Sequence, residues 1–385
     1  MNIESLLVHG AVEFDELTQS VNVPIYQTST YKQTALGEFK YEYSRTGNPT
    51  REALEKTIAL LESGSYGLAF ASGMAAITAV LNLFRSGDKI LIPSNLYGGS
   101  FRVVDKIFSN FDLKYEIVDL SDLEEAEKVL KNNEKTGGIK AIFVETPTNP
   151  LMEITDIQKI SDLAKKYGAI TIVDNTFMSP YLQRPLEHGA DIVVHSATKY
   201  IGGHSNVVAG LIAIENEELY KKLKFIQNAT GGVLGPFDSF LLLQGIKTLG
   251  VRLDRHNTNA KTVSEYLLQS PYVDKVYYPG LEDSKGFAIH NKQASGFGGM
   301  ISFVVNEKIN YREFLKTLKL ITLAESLGGV ESLICHPASM THASIPYEIR
   351  QKVGITDNLL RLSVGIENVN DLIEDLDSAF SKSLA

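Results

Sequence analysis

The chain has 385 residues, of which 44% are hydrophobic and 22% are charged, the balance of a globular protein. At this length two packed domains are expected rather than one small core. With 37 basic and 46 acidic residues the net charge is −9, which argues against nucleic-acid binding through phosphate neutralisation. The sequence has no apolar run of bilayer length, and residues 1–10 lack the features of a secretory signal. We therefore expect a cytoplasmic protein with no membrane or nucleic-acid partner.

The opening segment shows no sustained periodicity. Residues 21–32 alternate apolar and polar positions, but Pro24 and the polar cluster after it oppose a central strand. We expect residues 1–48 to form an irregular arm that contacts a neighbouring subunit.

From about residue 50 the pattern becomes an alternation of helices and strands. Helical spacing of apolar residues covers 51–62, 74–84 and 155–167. Short apolar runs typical of strands lie at 89–93, 115–118, 139–144, 169–173, 191–194 and 207–214. This alternation predicts an α/β fold, a mostly parallel sheet with helices on both faces, formed by residues 49–245.

Residues 246–385 follow a looser pattern. Helical spacing occurs at 257–268 and 370–383, and strand candidates lie at 275–278 and 298–306. We expect a smaller C-terminal α+β domain.

Several catalytic signatures are missing from the sequence. It contains no GxGxxG after a strand, no P-loop, no HExxH and no GxSxG. The single cysteine, Cys335, excludes an intrachain disulfide, and with His336 it is interpreted as a packed thiol beside a loop histidine. His195 and His204 are not accompanied by other residues at metal-ligand spacing, so no metal site is expected.

An acid and a lysine follow two of the predicted strands. Asp174 ends the run 169–173, and Lys199 follows the run 191–194. Because the carboxyl ends of parallel strands form a ligand crevice, both side chains are expected to face one bound molecule. A lysine can bind a carbonyl group of the ligand, and an acid can pair with a basic ring nitrogen. Pyridoxal phosphate carries both groups.

Two further elements suit the phosphate of that cofactor. Ser196 and Thr198 flank the lysine and carry hydroxyl donors. The turn at Gly73 and Met74 precedes a predicted helix, whose N-terminus favours an anion. Tyr97 is a candidate for stacking on the cofactor ring.

Motifs along the whole chain carry a family resemblance. They are YEYSRTGNPTR (41–51), ASGMAA (71–76), NLYGGSFR (95–102), ETPTNP (145–150), VDNTF (173–177), HSATKYIGGH (195–204), AESLGGVESL (324–333) and RLSVGIE (361–367). In this order they resemble the pyridoxal-phosphate enzymes of cysteine and methionine metabolism, the cystathionine γ-synthase and γ-lyase family. The resemblance implies fold type I and a homotetramer built as a dimer of dimers.

The resemblance also implies a role for each matching residue. Lys199 would bind the cofactor carbonyl and shuttle protons, and Tyr97 would stack on the ring. The other cofactor contacts would be Asn149 at the ring hydroxyl, Asp174 at the ring nitrogen, and Gly73, Met74, Ser196 and Thr198 at the phosphate. Tyr43 and Arg45 would reach the phosphate from an adjoining subunit.

The substrate side follows from the same resemblance. Arg361 would bind the α-carboxylate, aided by the backbone at Ser326, and Glu325 and Arg102 would hold the far end of cystathionine. The expected reaction is γ-elimination of cystathionine, with cystine, homocysteine and O-acyl-homoserine as further possible substrates. Cystathionine γ-synthase is the alternative, ahead of cystathionine β-lyase; a catalytically silent cofactor-binding protein is the alternative from another class.

Overall fold

The computed structural model describes residues 1–11, 15, 17–343 and 347–384, with the side chains of 349 and 352 outside the description. The large sheet contains β1 Tyr66–Phe70, β2 Lys89–Pro93, β3 Lys114–Val118, β4 Ile139–Glu145, β5 Ile170–Asp174, β6 Ile192–Ser196 and β7 Gly210–Ile214. Its strand order is β1-β7-β6-β5-β4-β2-β3. All neighbours are parallel except those of β7, which runs against both β1 and β6.

The small sheet has the order β10-β11-β12-β9-β8. Its strands are β8 Val273–Tyr277, β9 Met300–Val305, β10 Thr322–Leu323, β11 Leu333–Cys335 and β12 Leu359–Ser363. Only β10 and β11 pair in parallel; the remaining pairs are antiparallel.

Helices account for most of the remaining regular structure in the described ranges. The α-helices are α1 Ile3–His9, α2 Pro49–Leu61, α3 Gly73–Leu81, α4 Gly98–Lys106, α5 Leu123–Asn133, α6 Ile157–Lys166, α7 Ser179–Leu182, α8 Glu217–Thr230, α9 Pro236–Lys247, α10 Leu249–Gln269, α11 Phe287–Gln293, α12 Tyr311–Thr317, α13 Tyr347–Lys352 and α14 Val369–Lys382. Short 3₁₀ helices lie at Phe108–Phe111, Glu134–Thr136 and Pro185–His188. No helix in the described part of the chain is long and apolar enough to cross a membrane.

Both faces of the large sheet are covered by helices. Alternate residues of a strand point to opposite faces, so Ile172 packs with α3 and α4 while its neighbour Val173 packs with α5 and α6. Helices α2 and α9 extend the second face. Burial on both faces explains why these strands are continuous apolar runs, and it confirms the predicted α/β class.

The opening arm is less irregular than predicted, because it contains α1. Seven residues are too few for helical spacing to stand out in the sequence, and Leu7 is the residue of α1 that is buried, against the core formed with α2 and α9. Between residues 17 and 48 the described backbone forms isolated bridges such as Thr30–Tyr43. The boundaries 1–48, 49–245 and 246–385 place each sheet within one predicted domain, and they stay a prediction.

Candidate active site

A cavity of about 270 Å³ lies at the carboxyl edge of β4, β5 and β6, where the large sheet meets segments of the small one. Eleven predicted residues line it: Gly73, Met74, Tyr97, Asn149, Asp174, Ser196, Thr198, Lys199, Glu325, Ser326 and Arg361. The other three predicted site residues, Tyr43, Arg45 and Arg102, are exposed and lie outside the cavity lining. The sequence therefore predicted most of the wall of a single cavity.

Lys199 lies in the loop after β6, and its amine contacts the opposite wall. Its Nζ donates to Ser326 Oγ at 2.7 Å. Desolvation, followed by the nearby charge of Arg361, lowers the pKa of Lys199 to about 8, against an opposing effect of Glu325. A neutral amine is both nucleophile and base, so Lys199 is more reactive at neutral pH than an exposed lysine.

Two carboxyl groups lie side by side at the floor of the cavity. Glu145 and Asp174 end β4 and β5 and are register partners. Desolvation raises the pKa of both groups, and the charge of Asp174 helps to raise the pKa of Glu145 to about 8. Thr176 favours the ionised form of Asp174, since its N–H and its hydroxyl donate to Asp174 Oδ1 at 3.0 Å and 2.5 Å. This acidic floor suits a ligand that carries a protonated nitrogen.

The opposite end of the cavity suits an anion. Helix α3 begins at Gly73, and a Cβ there would lie 2.9 Å from Ser196 Cβ, so a side chain would separate the helix start from β6. The N–H groups of the first turn of a helix have no acceptor within the helix. Together with the hydroxyls of Ser196 and Thr198, they form a set of donors suited to a phosphate.

Tyr97 and Asn149 lie on two loops that follow β2 and β4. The Tyr97 ring packs over Gly99, where a Cβ would lie 2.5 Å from Tyr97 Cε1. The backbone N–H of Tyr97 donates to Glu145 Oε2 at 2.9 Å, and that of Asn149 donates to Glu145 Oε1 at 3.0 Å. One carboxylate thus contacts both loops.

Arg361 on β12 brings the small sheet into the site. It is only 2% exposed, and its Nη1 donates to Asn149 Oδ1 at 2.9 Å while Nη2 donates to Ser326 O at 3.0 Å. Its Nε has no partner within the described ranges. A buried guanidinium with a donor still available suits the carboxylate of a small acid.

A family model for the Cys/Met metabolism PLP-dependent enzymes matches residues 4–381. The chain belongs to this family. It is 53% identical to a cystathionine β-lyase of Lactococcus lactis subsp. cremoris over 382 residues, which cover 99% of each chain. It is also 53% identical to a cystathionine γ-lyase of Bacillus subtilis over 380 residues, covering 98% of this chain and 99% of the relative.

A solved structure supports the same assignment. The cystathionine γ-lyase from Lactobacillus plantarum complexed with L-serine superposes with a TM-score of 0.97 at 48% identity, covering 100% of this chain and 99% of that one. The fold is therefore fold type I of the pyridoxal-phosphate enzymes, as predicted, and the cofactor is pyridoxal 5'-phosphate.

The residues of the cavity fit this cofactor. The acidic floor at Asp174 suits the ring nitrogen, the start of α3 with Ser196 suits the phosphate, and Lys199 suits the carbonyl. When bound, pyridoxal phosphate supplies an electron sink that stabilises negative charge on the substrate carbon beside the amino group.

The sequence analysis did not predict two residues of the cavity floor, Glu145 and Thr176. Glu145 ends an apolar run just as Asp174 does, so the same signal was available for both. Thr176 connects the two ends of the cavity, because its Oγ1 accepts from Ser196 N–H at 2.9 Å and donates to Asp174. An acid, then a hydroxyl residue two positions later, is the local pattern of such a turn.

His195 and His204 have hydrogen-bond partners within the fold, and Cys335 is a buried free thiol. His195 Nε2 hydrogen-bonds the buried Glu62 Oε1 at 2.5 Å, a partner that the sequence did not reveal. His204 Nδ1 contacts Gly202 O at 2.8 Å. Cys335 is buried in β11, which raises the pKa of its thiol and agrees with the interpretation of a packed side chain.

Proposed function

We propose that this enzyme cleaves L-cystathionine by γ-elimination, giving cysteine, 2-oxobutanoate and ammonia. The observation that carries the proposal is the hydrogen bond from Lys199 Nζ to Ser326 Oγ, inside a cavity that Arg361 and Glu325 also line. A substrate with two amino-acid ends needs such a combination of groups in one cavity, namely an amine, a guanidinium and an acidic side chain.

The two ends of cystathionine would be held by opposite charges. Arg361 would bind the α-carboxylate of the reacting end, because its guanidinium is fixed by Asn149 and Ser326 and keeps Nε available. Glu325 would accept the distal ammonium, since its carboxylate is exposed at the cavity wall. Arg102, on the exposed face of α4, is the proposed partner of the distal carboxylate.

The proton transfers would fall to Lys199. A γ-elimination removes a proton from the α-carbon and one from the β-carbon, and one positioned base can serve both. The lowered pKa of Lys199 provides neutral amine at neutral pH, and Ser326 Oγ orients it. The pKa of the Tyr97 phenol is raised by desolvation, so Tyr97 keeps its proton and remains a donor at the wall.

The segment after Ala324 favours γ- over β-elimination. Many cystathionine β-lyases carry an aromatic residue in this segment, whereas residues 325–329 of this chain are Glu-Ser-Leu-Gly-Gly. Leu327 of this segment is buried in the cavity wall. Because residues 325–329 carry no aromatic ring, Glu325 is free to define the distal end of the substrate.

A product panel on the purified enzyme tests the reaction. Cystathionine alone should give 2-oxobutanoate and cysteine. Pyruvate and homocysteine would instead establish β-elimination and overturn the proposal. Net formation of cystathionine from O-acetyl- or O-succinylhomoserine and cysteine, without cleavage, would establish a γ-synthase. Absence of turnover with all substrates would leave a silent binding protein.

We also propose that a dimer is the smallest active unit and that two dimers form the tetramer. Tyr43 and Arg45 lie outside the cavity of their own chain, and Arg51 holds the turn between them by donating to Ser44 O at 2.7 Å and Arg45 O at 3.1 Å. Arg45→Ala subunits mixed with Lys199→Ala subunits should regain activity, because hybrid dimers contain one intact site. If subunit exchange is verified and no activity returns, Arg45 acts in the active site of its own subunit.

A further inference from the structure

Glu145 is a buried carboxylate of the cavity floor for which the proposed reaction has no chemical step. It is only 7% exposed, and it faces Asp174 across two neighbouring strands. We propose that Glu145 is a positioning residue, whose carboxylate holds the Tyr97 loop and the Asn149 loop in the geometry that the cofactor and the substrate need. The proposal rests on the ring contacts proposed for those two residues.

The first argument is the way in which the two carboxylate oxygens are used. Oε2 accepts the backbone N–H of Tyr97, and Oε1 accepts that of Asn149. The two amides belong to separate loops, after β2 and after β4. Residue 149 lies between Pro147 and Pro150, which have no backbone N–H. The loop therefore has few N–H groups that can hold it in place, and the N–H of Asn149 is one of them.

The second argument is a continuous series of hydrogen bonds from Glu145 to the reactive amine. Asn149, held by Glu145, accepts from Arg361 through its side chain. Arg361 then donates to the carbonyl of Ser326, whose hydroxyl accepts from Lys199. Displacement of the Asn149 loop would therefore disturb the substrate-carboxylate site and the contact of the lysine as well.

The third argument is that the chemistry is specific to glutamate. An amide at this position keeps the shape of the side chain but offers one acceptor oxygen and an NH₂ donor. That NH₂ would face a backbone N–H, so Glu145→Gln can satisfy only one of the two loops. Glu145→Asp keeps both oxygens on a side chain one methylene shorter, and it cannot span the same two donors without backbone movement.

The matched control is Asp191, which immediately precedes β6 at the opposite edge of the large sheet and contacts the start of β5. Its carboxylate accepts the backbone N–H of Thr171 at 2.8 Å, it is half-buried, and desolvation raises its pKa. Asp191→Asn therefore makes the same carboxylate-to-amide change in the same sheet, away from the cavity. It reports the effect of a carboxylate-to-amide change on stability, at a position where one acceptor oxygen is sufficient.

The test is hydrogen–deuterium exchange on the full-length holoenzyme, with the visible circular dichroism of bound pyridoxal phosphate as a second readout. In Glu145→Gln the amide of Tyr97, that of Asn149, or both should exchange about tenfold faster or more, as expected for loss of the hydrogen bond that this amide donates to Glu145. The cofactor band should change in shape, and the dissociation constant of pyridoxal phosphate should rise. Asp191→Asn keeps one acceptor oxygen for the single N–H of Thr171, so it should leave exchange at Thr171 within about threefold of wild type and the cofactor band unchanged.

The outcomes distinguish a positioning role of Glu145 from a general loss of stability. They are also independent of which reaction the enzyme catalyses. Unchanged exchange at both loop amides in Glu145→Gln would overturn the proposal. So would an unchanged cofactor band at equal thermal stability, or a band that changes equally in Asp191→Asn. Should Glu145→Gln fail to fold, Glu145→Asp is measured in the same way and must show the same two changes. None of these readouts depends on which bond of the substrate is cleaved, so a wrong product assignment would leave the test intact.

Discussion

The cavity has two halves that are built in different ways. The cofactor half, formed by Gly73, Glu145, Asp174 and Ser196, consists of strand ends and a helix start on the large sheet. The proposed substrate half, formed by Arg361, Ser326 and Glu325, combines one strand residue with a loop whose Ser326 has φ of 91°, in the left-handed region. A sheet edge fixes the first half through its backbone, whereas the second depends on side-chain contacts between distant segments. We therefore expect the first to tolerate little change and the second to set specificity.

The largest effect is expected where the halves meet, at Lys199. Lys199→Ala removes the proposed base and should lower turnover of cystathionine at least about 1,000-fold. The proposed phosphate contacts of the cofactor half remain, so the variant should still bind pyridoxal phosphate without a covalent bond. Absorbance of the bound cofactor and turnover measure the two effects.

The control for this change is Lys89→Ala. Lys89 is also half-buried, but it lies at the amino end of β2 and pairs with Glu116 at 3.0 Å. Its loss should leave turnover within about twofold, in line with an ion pair of small energy. Wild-type turnover in Lys199→Ala would show that another group carries the proton transfers.

Arg361→Lys tests whether the substrate half depends on geometry or on charge alone. Lysine keeps the positive charge but cannot donate at once to Asn149, Ser326 and a substrate carboxylate. We expect kcat/KM for cystathionine to fall about 100-fold, equivalent to roughly 2–3 kcal/mol for lost charge-assisted hydrogen bonds. The affinity for pyridoxal phosphate should change little. A variant within threefold of wild type would mean that charge alone binds the substrate.

The residues of the cofactor half could be predicted from the sequence because each is marked by its immediate neighbours in the chain. Asp174 and Lys199 each follow an apolar run, and parallel strands bring such ends together. Glu145 ends a run in the same manner, and nothing in the run itself distinguishes an acid that binds a ligand from one that holds a loop. The contact of Arg361 with Asn149, across 212 positions, has no local signal, so only the family resemblance pointed to Arg361.

A pH dependence should appear when the amine of Lys199 first meets the cofactor. The pKa of Lys199 is lowered to about 8, so its neutral form increases as the pH rises through that value and is nearly complete above it. The rate at which the cofactor-free enzyme captures pyridoxal phosphate should rise up to about tenfold between pH 7 and pH 9, then level off. Stopped-flow absorbance measures this rate, with a free amine as reference. A rate still rising tenfold per unit above pH 9 would mean that Lys199 titrates like an exposed lysine.

The smallest effect is expected at Glu325, the exposed end of the substrate half. Its carboxylate can pair with the distal ammonium of cystathionine, but exposure limits the pairing to about 1 kcal/mol, or roughly a fivefold change in KM. Glu325→Ala should raise KM for cystathionine by that factor and leave elimination from O-acetylhomoserine, which has no distal ammonium, within about twofold. Glu331→Ala is the control, because Glu331 is an exposed glutamate six residues further on that does not line the cavity.

The ratio between the two substrates decides the role of Glu325. Equal losses on both would place Glu325 in the chemistry or in folding of its loop, and the two halves would then not divide cofactor from specificity. No loss on either would leave the distal end of the substrate without an acidic partner in this chain, and a group from an adjoining subunit would have to supply it. A loss confined to cystathionine would show that the side-chain contacts of the substrate half select the substrate, while the strand ends of the cofactor half support the reaction whichever substrate is bound.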